Sequence, residues 1–268
     1  MLLTSDSVNT NEDVMSGNDG IPAINIFGVK VNRVDMNTTL SAIRAYVRSG
    51  KPHMIVTADS YALVLAQTDE DFRSIVNNAD LVTPDSSGIL LGAKWLGTPL
   101  IGRVSGIDIA QNMCKMAAEE GFSVFLLGAA PGVADMAAQK LKQTYLGLAI
   151  AGTRDGYFKP EQDTEVVSQI RDSGAQALFV ALGIPKQEKW IRDHMQELGV
   201  SVAMGVGGSF DVISGKIKRA PVWMQRACLE WAYRLLKDPR KIYKVAVLPR
   251  FLGLLIKEKF CAREKGLK

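Results

Sequence analysis

Residues 177–188 read Ala177-Leu178-Phe179-Val180-Ala181-Leu182-Gly183-Ile184-Pro185-Lys186-Gln187-Glu188. A short apolar run bounded by glycine suits a strand covered on both faces. Gly183 closes the run. Pro185 stands where a helix would begin, because a first helical turn has no use for the N–H that proline lacks. Lys186 and Gln187 then point from the first turn of that helix toward the strand end. Polar side chains there suit ligand contact, with a solvated helix start as the plain alternative.

The same strand-to-helix unit recurs along the chain. Ile24–Val31 alternates like a strand, and Asn37-Thr38 caps a helix running to about Arg48. Apolar runs follow at His53–Thr57, Asp80–Thr83, Ser123–Leu127, Leu148–Gly152 and Ser201–Val206. Helical patterns such as Gly106–Glu120 and Pro131–Tyr145 separate them. Short apolar runs alternating with helices predict an α/β fold, Rossmann-like, with a mostly parallel sheet and helices on both faces. Ligands in such folds bind outside the carboxyl ends of the strands, so strand-end residues are the first candidates for function.

The 268 residues, 47% hydrophobic and 22% charged, suffice for one large domain with an appendage. Three domains of behaviour are expected. Residues 1–22, rich in Ser, Asn, Asp and Gly, read as a flexible tail. Residues 23–215 form the α/β catalytic domain. Residues 216–268 form a basic helical appendage. That last segment holds 15 Lys/Arg against 4 Asp/Glu, a net of +11, and the other 17 basic and 24 acidic residues leave −7. A basic end on an acidic body implies an anionic partner: nucleic acid, a phospholipid surface or a phosphorylated substrate. Trp223–Lys237 has the pattern of an amphipathic helix, with Met224, Ala227, Cys228, Trp231 and Leu235 on one face. Beyond it, basic and apolar residues alternate to Phe260.

Three cysteines and two histidines, scattered, exclude a disulfide framework or a Cys/His zinc site. No apolar run is long enough for a spanning helix. The first 20 residues carry four acids and no Lys or Arg, unlike a signal peptide.

Seven strand-end or basic clusters carry chemistry-bearing residues. Thr57-Ala58-Asp59 offers a hydroxyl and a carboxylate to a sugar, or a helix cap. In Thr83-Pro84-Asp85-Ser86, Asp85 is a candidate general base or, again, a cap. Arg103, in Gly102–Asp108, has a planar fork suited to a leaving diphosphate. Gly128, in Leu127–Gly132, opens a helix start that could hold phosphate, although the spacing is not G-x-G-x-x-G. Lys186 and Gln187 form the fifth cluster. Gly205–Asp211 brings Gly207 and Gly208, where backbone can approach a ligand closely, and Asp211, a candidate for a ribose hydroxyl. Lys218-Arg219, with Arg226, Arg234 and Arg240, suits pyrophosphate or lipid headgroups. Asp69-Glu70-Asp71 matches the D-x-D metal string but reads as a capped, solvated turn. No metal site and no cofactor are expected.

Taken in order, these pieces resemble the WecG/TagA/CpsF family of bacterial glycosyltransferases. The resemblance runs from about Ile24 to about Arg250. It rests on Thr-Pro-Asp at 83–85, Arg-Val-Ser-Gly-Ile-Asp at 103–108, Phe-Leu-Leu-Gly at 125–128 and Asp-Gly-Tyr-Phe at 155–158. Leu-Gly-Ile-Pro-Lys-Gln-Glu at 182–188, Gly-Val-Gly-Gly-Ser-Phe-Asp at 205–211, Lys-Arg-Ala-Pro at 218–221 and Leu-Glu-Trp-Ala-Tyr-Arg-Leu at 229–235 complete it. The resemblance implies an inverting, metal-independent transfer from a UDP-sugar to a polyprenyl-diphosphate-linked sugar, in cell-surface polysaccharide synthesis. It implies a peripheral enzyme on the cytoplasmic face of the bacterial inner membrane, with an anionic lipid surface as partner and no nucleic acid. A homo-oligomer stays open. By resemblance Asp85 is the catalytic base, and Thr57, Arg103 and Gln187 complete the catalytic set. Asp59, Gly128, Lys186, Gly207, Gly208, Asp211, Arg219, Arg226, Arg234 and Arg240 bind substrate.

The chain departs from the family at one point. The usual Thr-x-Asn-x-Glu is here Thr57-Ala58-Asp59-Ser60-Tyr61. Asn to Asp leaves an acceptor only, and Glu to Tyr removes a carboxylate. N-acetylmannosamine is therefore not assumed as the donor sugar; a hexose or another N-acetylhexosamine remains open. Two rival classes fit the sequence less well. A nicotinamide-dependent oxidoreductase lacks its glycine fingerprint here. A non-catalytic membrane-surface adaptor with a basic amphipathic tail leaves the strand-end clusters unexplained.

Overall fold

A computed structural model describes residues 14–15, 20–221, 223–224, 232–233, 235 and 246–264. Six strands form the central sheet: β4 (His53–Ala58), β5 (Leu81–Pro84), β6 (Ser123–Gly128), β7 (Ala149–Arg154), β8 (Ala177–Ala181) and β9 (Val202–Gly205). All pairings are parallel, in the order β5-β4-β9-β8-β6-β7.

Alternation along the strands assigns the two faces. Val56 and Ala58, Leu127, Val180 and Ala203 look to one core, and Ile55, Leu126, Phe179 and Met204 to the other. The first core is covered by α2 (Ser60–Leu65), α3 (Glu70–Asn78), α4 (Ser87–Leu96), α7 (Asp163–Asp172) and α8 (Lys186–His194). The second is covered by α1 (Met36–Ser49), α5 (Gly106–Glu120), α6 (Val133–Thr144) and α9 (Ser209–Ile213). This is the expected doubly covered α/β sheet. Helix α2, after β4, and α8, after β8, lie on the first face. Helix α9, after the strand between them, lies on the second. Adjacent strands whose connections leave to opposite faces open a crevice at their carboxyl ends.

Two local expectations are corrected. Ile24–Val31 is not one strand but part of a hairpin, β2 (Pro22–Ile26) and β3 (Val29–Asn32). Phe27 and Gly28 both have positive φ, 54° and 79°. Two such residues in succession make the tight turn that matches strand twist. Asn25 Oδ1 accepts from the Gly28 N–H at 2.7 Å. Period-two alternation continues through so short a turn, which is why the turn was invisible. Helix α1 is capped by Asp35, not by Asn37-Thr38: the Asp35 carboxylate accepts from the Thr38 N–H at 2.8 Å.

The hairpin guards the β5 edge of the sheet. Buried Asn32 accepts from the Val82 N–H at 2.8 Å. Within the expected N-terminal tail, β1 (Val14–Met15) pairs antiparallel with β2. Past α9, the chain returns as α10 (Leu248–Glu264). Phe251 and Leu255 are buried where α10 lies on the first face, against Gly92 of α4 and edge-on to Phe27. A Cβ on Gly92 would meet Leu255 at 3.0 Å, so glycine there permits the close approach. Most of the amphipathic helix expected at Trp223–Lys237, with Arg226, Arg234 and Arg240, lies outside the described residues.

Candidate active site

A cleft opens at the expected crevice. Its walls are Thr57 at the end of β4 and Asp59 after it, Asp85 after β5, Ile107 on α5, Ile184 and Gln187 after β8, and Val206, Gly207, Gly208, Ser209 and Val212 after β9. Thus four of the candidate side chains, Thr57, Asp59, Asp85 and Gln187, and the two glycines Gly207 and Gly208 come from four separate strand ends to one place, and Arg103, from the loop before α5, reaches it through its contact with Asp85.

Asp85 is held at the backbone and presents its side chain. Its N–H donates to the Ala58 carbonyl at 2.8 Å. Its carbonyl accepts from Arg103 Nε at 2.8 Å. Arg103 Nη2 lies 4.0 Å from the Asp85 carboxylate. The cap of α4 is the next residue, Ser86, whose hydroxyl accepts from the Ile89 N–H at 3.3 Å. Capping therefore does not account for Asp85. The Arg103 loop is fixed in turn by the Val104 N–H donating to Pro84 O at 2.9 Å.

Thr57 is buried, with its hydroxyl 3.4 Å from the Gly205 carbonyl. Gly106, the first residue of α5, packs so closely that a Cβ would lie 3.2 Å from that hydroxyl. Asp59 realises the capping alternative: it is the N-cap of α2 and accepts from the Ala62 N–H at 2.9 Å. Asn and Asp cap about equally well, so Asp59 serves the helix start as an Asn would while putting a carboxylate rather than an amide on the cleft wall.

Gln187 is 1% exposed and spends its amide on the protein. Its Oε1 accepts from the Gly183 N–H at 3.2 Å and the Gly207 N–H at 3.0 Å. Its Nε2 donates to Glu188 Oε1 at 2.7 Å. It pins the loop after β8 to the loop after β9. Gly205 makes room: a Cβ there would fall 2.3 Å from Gln187 Nε2.

Other candidates stand apart from the cleft lining. Gly128, at φ 120°, is glycine because a Cβ would sit 2.6 Å from the Ala181 carbonyl on β8. Lys186 extends over the Phe158 ring, 5.9 Å from its centroid. Asp211 gives its carbonyl to the Ile217 N–H at 2.8 Å. Arg219 forks onto Asp108 of α5, with Nη1–Oδ1 at 2.7 Å and Nη2–Oδ2 at 2.9 Å. Burial pushes the Asp108 carboxyl up, but Arg219, Ser105 and Arg103 outweigh it and hold it below the ordinary carboxylate range.

Asp69-Glu70-Asp71 is a capped turn, as read. Asp69 caps α3, accepting from the Phe72 N–H at 2.9 Å, and pairs with Lys189 Nζ at 2.8 Å. Among the described residues no group of three or more His, Cys, Asp or Glu side chains could hold a metal ion. Ile107, Ile184, Val206 and Val212 line the cleft without having been singled out, because apolar residues in such motifs look like core. Asp108 was passed over because its partner is 111 residues away.

The profile of the glycosyl transferase WecG/TagA/CpsF family matches residues 24–265. Among curated relatives, an N-acetylglucosaminyldiphosphoundecaprenol N-acetyl-β-D-mannosaminyltransferase of Bacillus spizizenii is 35% identical, over 79% of this chain and 82% of the relative. The Bacillus subtilis protein of the same name is 33% identical, over 76% of this chain and 79% of its own. That of Staphylococcus aureus strain MW2 is 32% identical, over 88% of this chain and 93% of its own. A family profile matched over nearly the whole chain and relatives at 32–35% identity place this protein in the WecG/TagA/CpsF family of glycosyltransferases.

Proposed function

We propose that this glycosyltransferase moves a hexose or N-acetylhexosamine from a UDP-sugar to a polyprenyl-diphosphate-linked sugar, with inversion and without a metal. The observation that carries the reading is Asp85: a carboxylate on the cleft wall, beside the Arg103 guanidinium, with the capping duty taken by Ser86. The relatives' names support the acceptor, a diphosphoundecaprenol-linked sugar.

In this mechanism an acceptor hydroxyl gives its proton to the Asp85 carboxylate. The hydroxyl oxygen forms a bond to the anomeric carbon of the donor. The bond from that carbon to the UDP oxygen breaks, and UDP leaves with the electron pair from the opposite face. Charge developing on the diphosphate meets Arg103 and the arginines of the C-terminal segment, with the Gly207-Gly208 loop beside it. Thr57 shapes the floor, and Gln187 holds the two loops at the spacing the donor needs. Asp59, an acceptor-only wall, selects the sugar.

The site of action is the cytoplasmic face of the membrane, where a lipid-linked acceptor resides. A net of +11 over residues 216–268 suits anionic headgroups. Leu252, Ile256 and Phe260 are exposed at four-residue spacing on α10, beside exposed Leu91 and Trp95 of α4. Lys259 Nζ donates to the Trp95 carbonyl at 2.8 Å and joins the two helices there. No helix among the described residues is long and apolar enough to cross a membrane.

The test is a donor screen. Protein, a short-chain prenyl-diphosphate sugar and chelator are mixed with UDP-N-acetylmannosamine, UDP-glucose, UDP-N-acetylglucosamine or UDP-glucuronic acid, and UDP release is followed. Release with one donor in chelator is expected. No release from folded protein with any donor across several acceptor sugars contradicts the reading.

A further inference from the structure

The start of α5 forgoes the arrangement its sequence invites. Ser105-Gly106-Ile107-Asp108 has a hydroxyl at the cap position and a carboxylate three residues on, the pattern of a reciprocal capping box. Ser105 makes no side-chain cap hydrogen bond. Its hydroxyl instead donates to Asp108 Oδ2 at 2.6 Å. Both Asp108 oxygens face the two terminal nitrogens of Arg219, in the paired geometry that fixes a guanidinium in orientation as well as in place. The segment is tied down on either side of that fork. The Ile217 N–H donates to Asp211 O at 2.8 Å, and Ala220 is buried.

This fork has a definite place in the fold. It sits on the first turn of α5, whose Gly106 touches Thr57 and whose Ile107 lines the cleft. It belongs to the second face of the sheet, whereas Phe251 and Leu255 bury themselves on the first. Arg219 and Phe251 therefore bracket the stretch of sequence that carries Arg226, Arg234 and Arg240.

We propose that Asp108 is a positioning residue: through Arg219 it holds residues 216–221 against the first turn of α5, beside the cleft lining, and so sets the affinity for the diphosphate-linked acceptor. This rests on the transferase reading above. Helix-start electrostatics alone would also favour an acid in this turn. That alternative predicts an effect of Asp108 that does not depend on Arg219.

A double-mutant cycle in the full chain separates the two. Asp108→Asn and Arg219→Gln are each expected to raise the acceptor KM by about tenfold to a hundredfold, with the donor KM little changed. In the Arg219→Gln background, Asp108→Asn is expected to add nothing. Asp108→Glu, which keeps the carboxylate, is expected to recover most of the acceptor affinity. Amide hydrogen exchange over residues 216–221, read without any substrate, is expected to rise in both single variants. Fully additive effects, or unchanged exchange over 216–221 in folded Asp108→Asn, overturn the proposal. If the wild-type protein transfers no sugar at all, the transferase reading fails, and the exchange experiment still decides the role of Asp108.

Discussion

Gln187 shows how one buried amide organises a cleft. Its carbonyl oxygen takes two backbone N–H groups from loops that follow different strands. Losing it would leave those donors to find new partners, at about 1–3 kcal/mol for each that stays buried. Gly205→Ala tests the same point from the other side, because the added Cβ would meet the Gln187 amide at 2.3 Å. We expect that variant to lose about 1–3 kcal/mol in denaturant unfolding and to weaken UDP binding. Unchanged stability and UDP affinity would show that the Gln187 pin is not tight. Ser86→Ala separates cap from catalysis. It should cost about 1 kcal/mol, as an N-cap loss does, while turnover per folded molecule stays near wild type. Much of this residue scale was legible beforehand. Asp85, Thr57, Asp59 and the Gly207-Gly208 turn all sit at strand ends, where position alone marks them. The Arg219–Asp108 fork was not legible, because no local pattern links residues 111 apart.

At the element scale, the parallel strands and α5 were read from runs and periods that the structure keeps. Gly106–Glu120 is helical over the whole predicted span. The misreadings share one cause: a local signal that two structures satisfy equally. Alternation persists through the Phe27-Gly28 turn, and Asp35 competes with Asn37 as the cap of α1. Helix α10 makes a further prediction. It is held mainly by Phe251 and Leu255. Truncating a buried phenylalanine typically costs about 3–5 kcal/mol. Phe251→Ala should therefore raise amide exchange along α10 and leave β4 and β9 protected. Exchange that rises equally in the central sheet would mean that α10 and the sheet open as one unit.

On the scale of the whole molecule, charge sets the pH response. Asp69 and Asp71 are held below the ordinary carboxylate range, first by hydrogen bonds from Lys189 and Arg192 respectively. Glu120 is lowered by Arg44, and Asp35 by the Thr38 N–H. Asp108 shifts the same way. A carboxyl lowered on folding stabilises the native state above its unfolded pKa of about 4, and that contribution fades as pH falls through the folded value. The melting temperature should therefore hold nearly level from neutral pH down to about 5 and drop below about 4. A steep fall already between neutral and about pH 5.5 would assign the response to other groups.

If Asp85 takes the acceptor proton, Asp85→Asn should lose the transfer reaction while keeping the fold. UDP release by the variant would be compared with the wild type under the same donor, the same prenyl-diphosphate acceptor and chelator, alongside the melting temperature of each. Turnover is expected to fall by about a hundredfold to ten-thousandfold with melting nearly unchanged, because Ser86 keeps the helix cap. Turnover within about threefold of wild type, from a variant that melts normally, would contradict it.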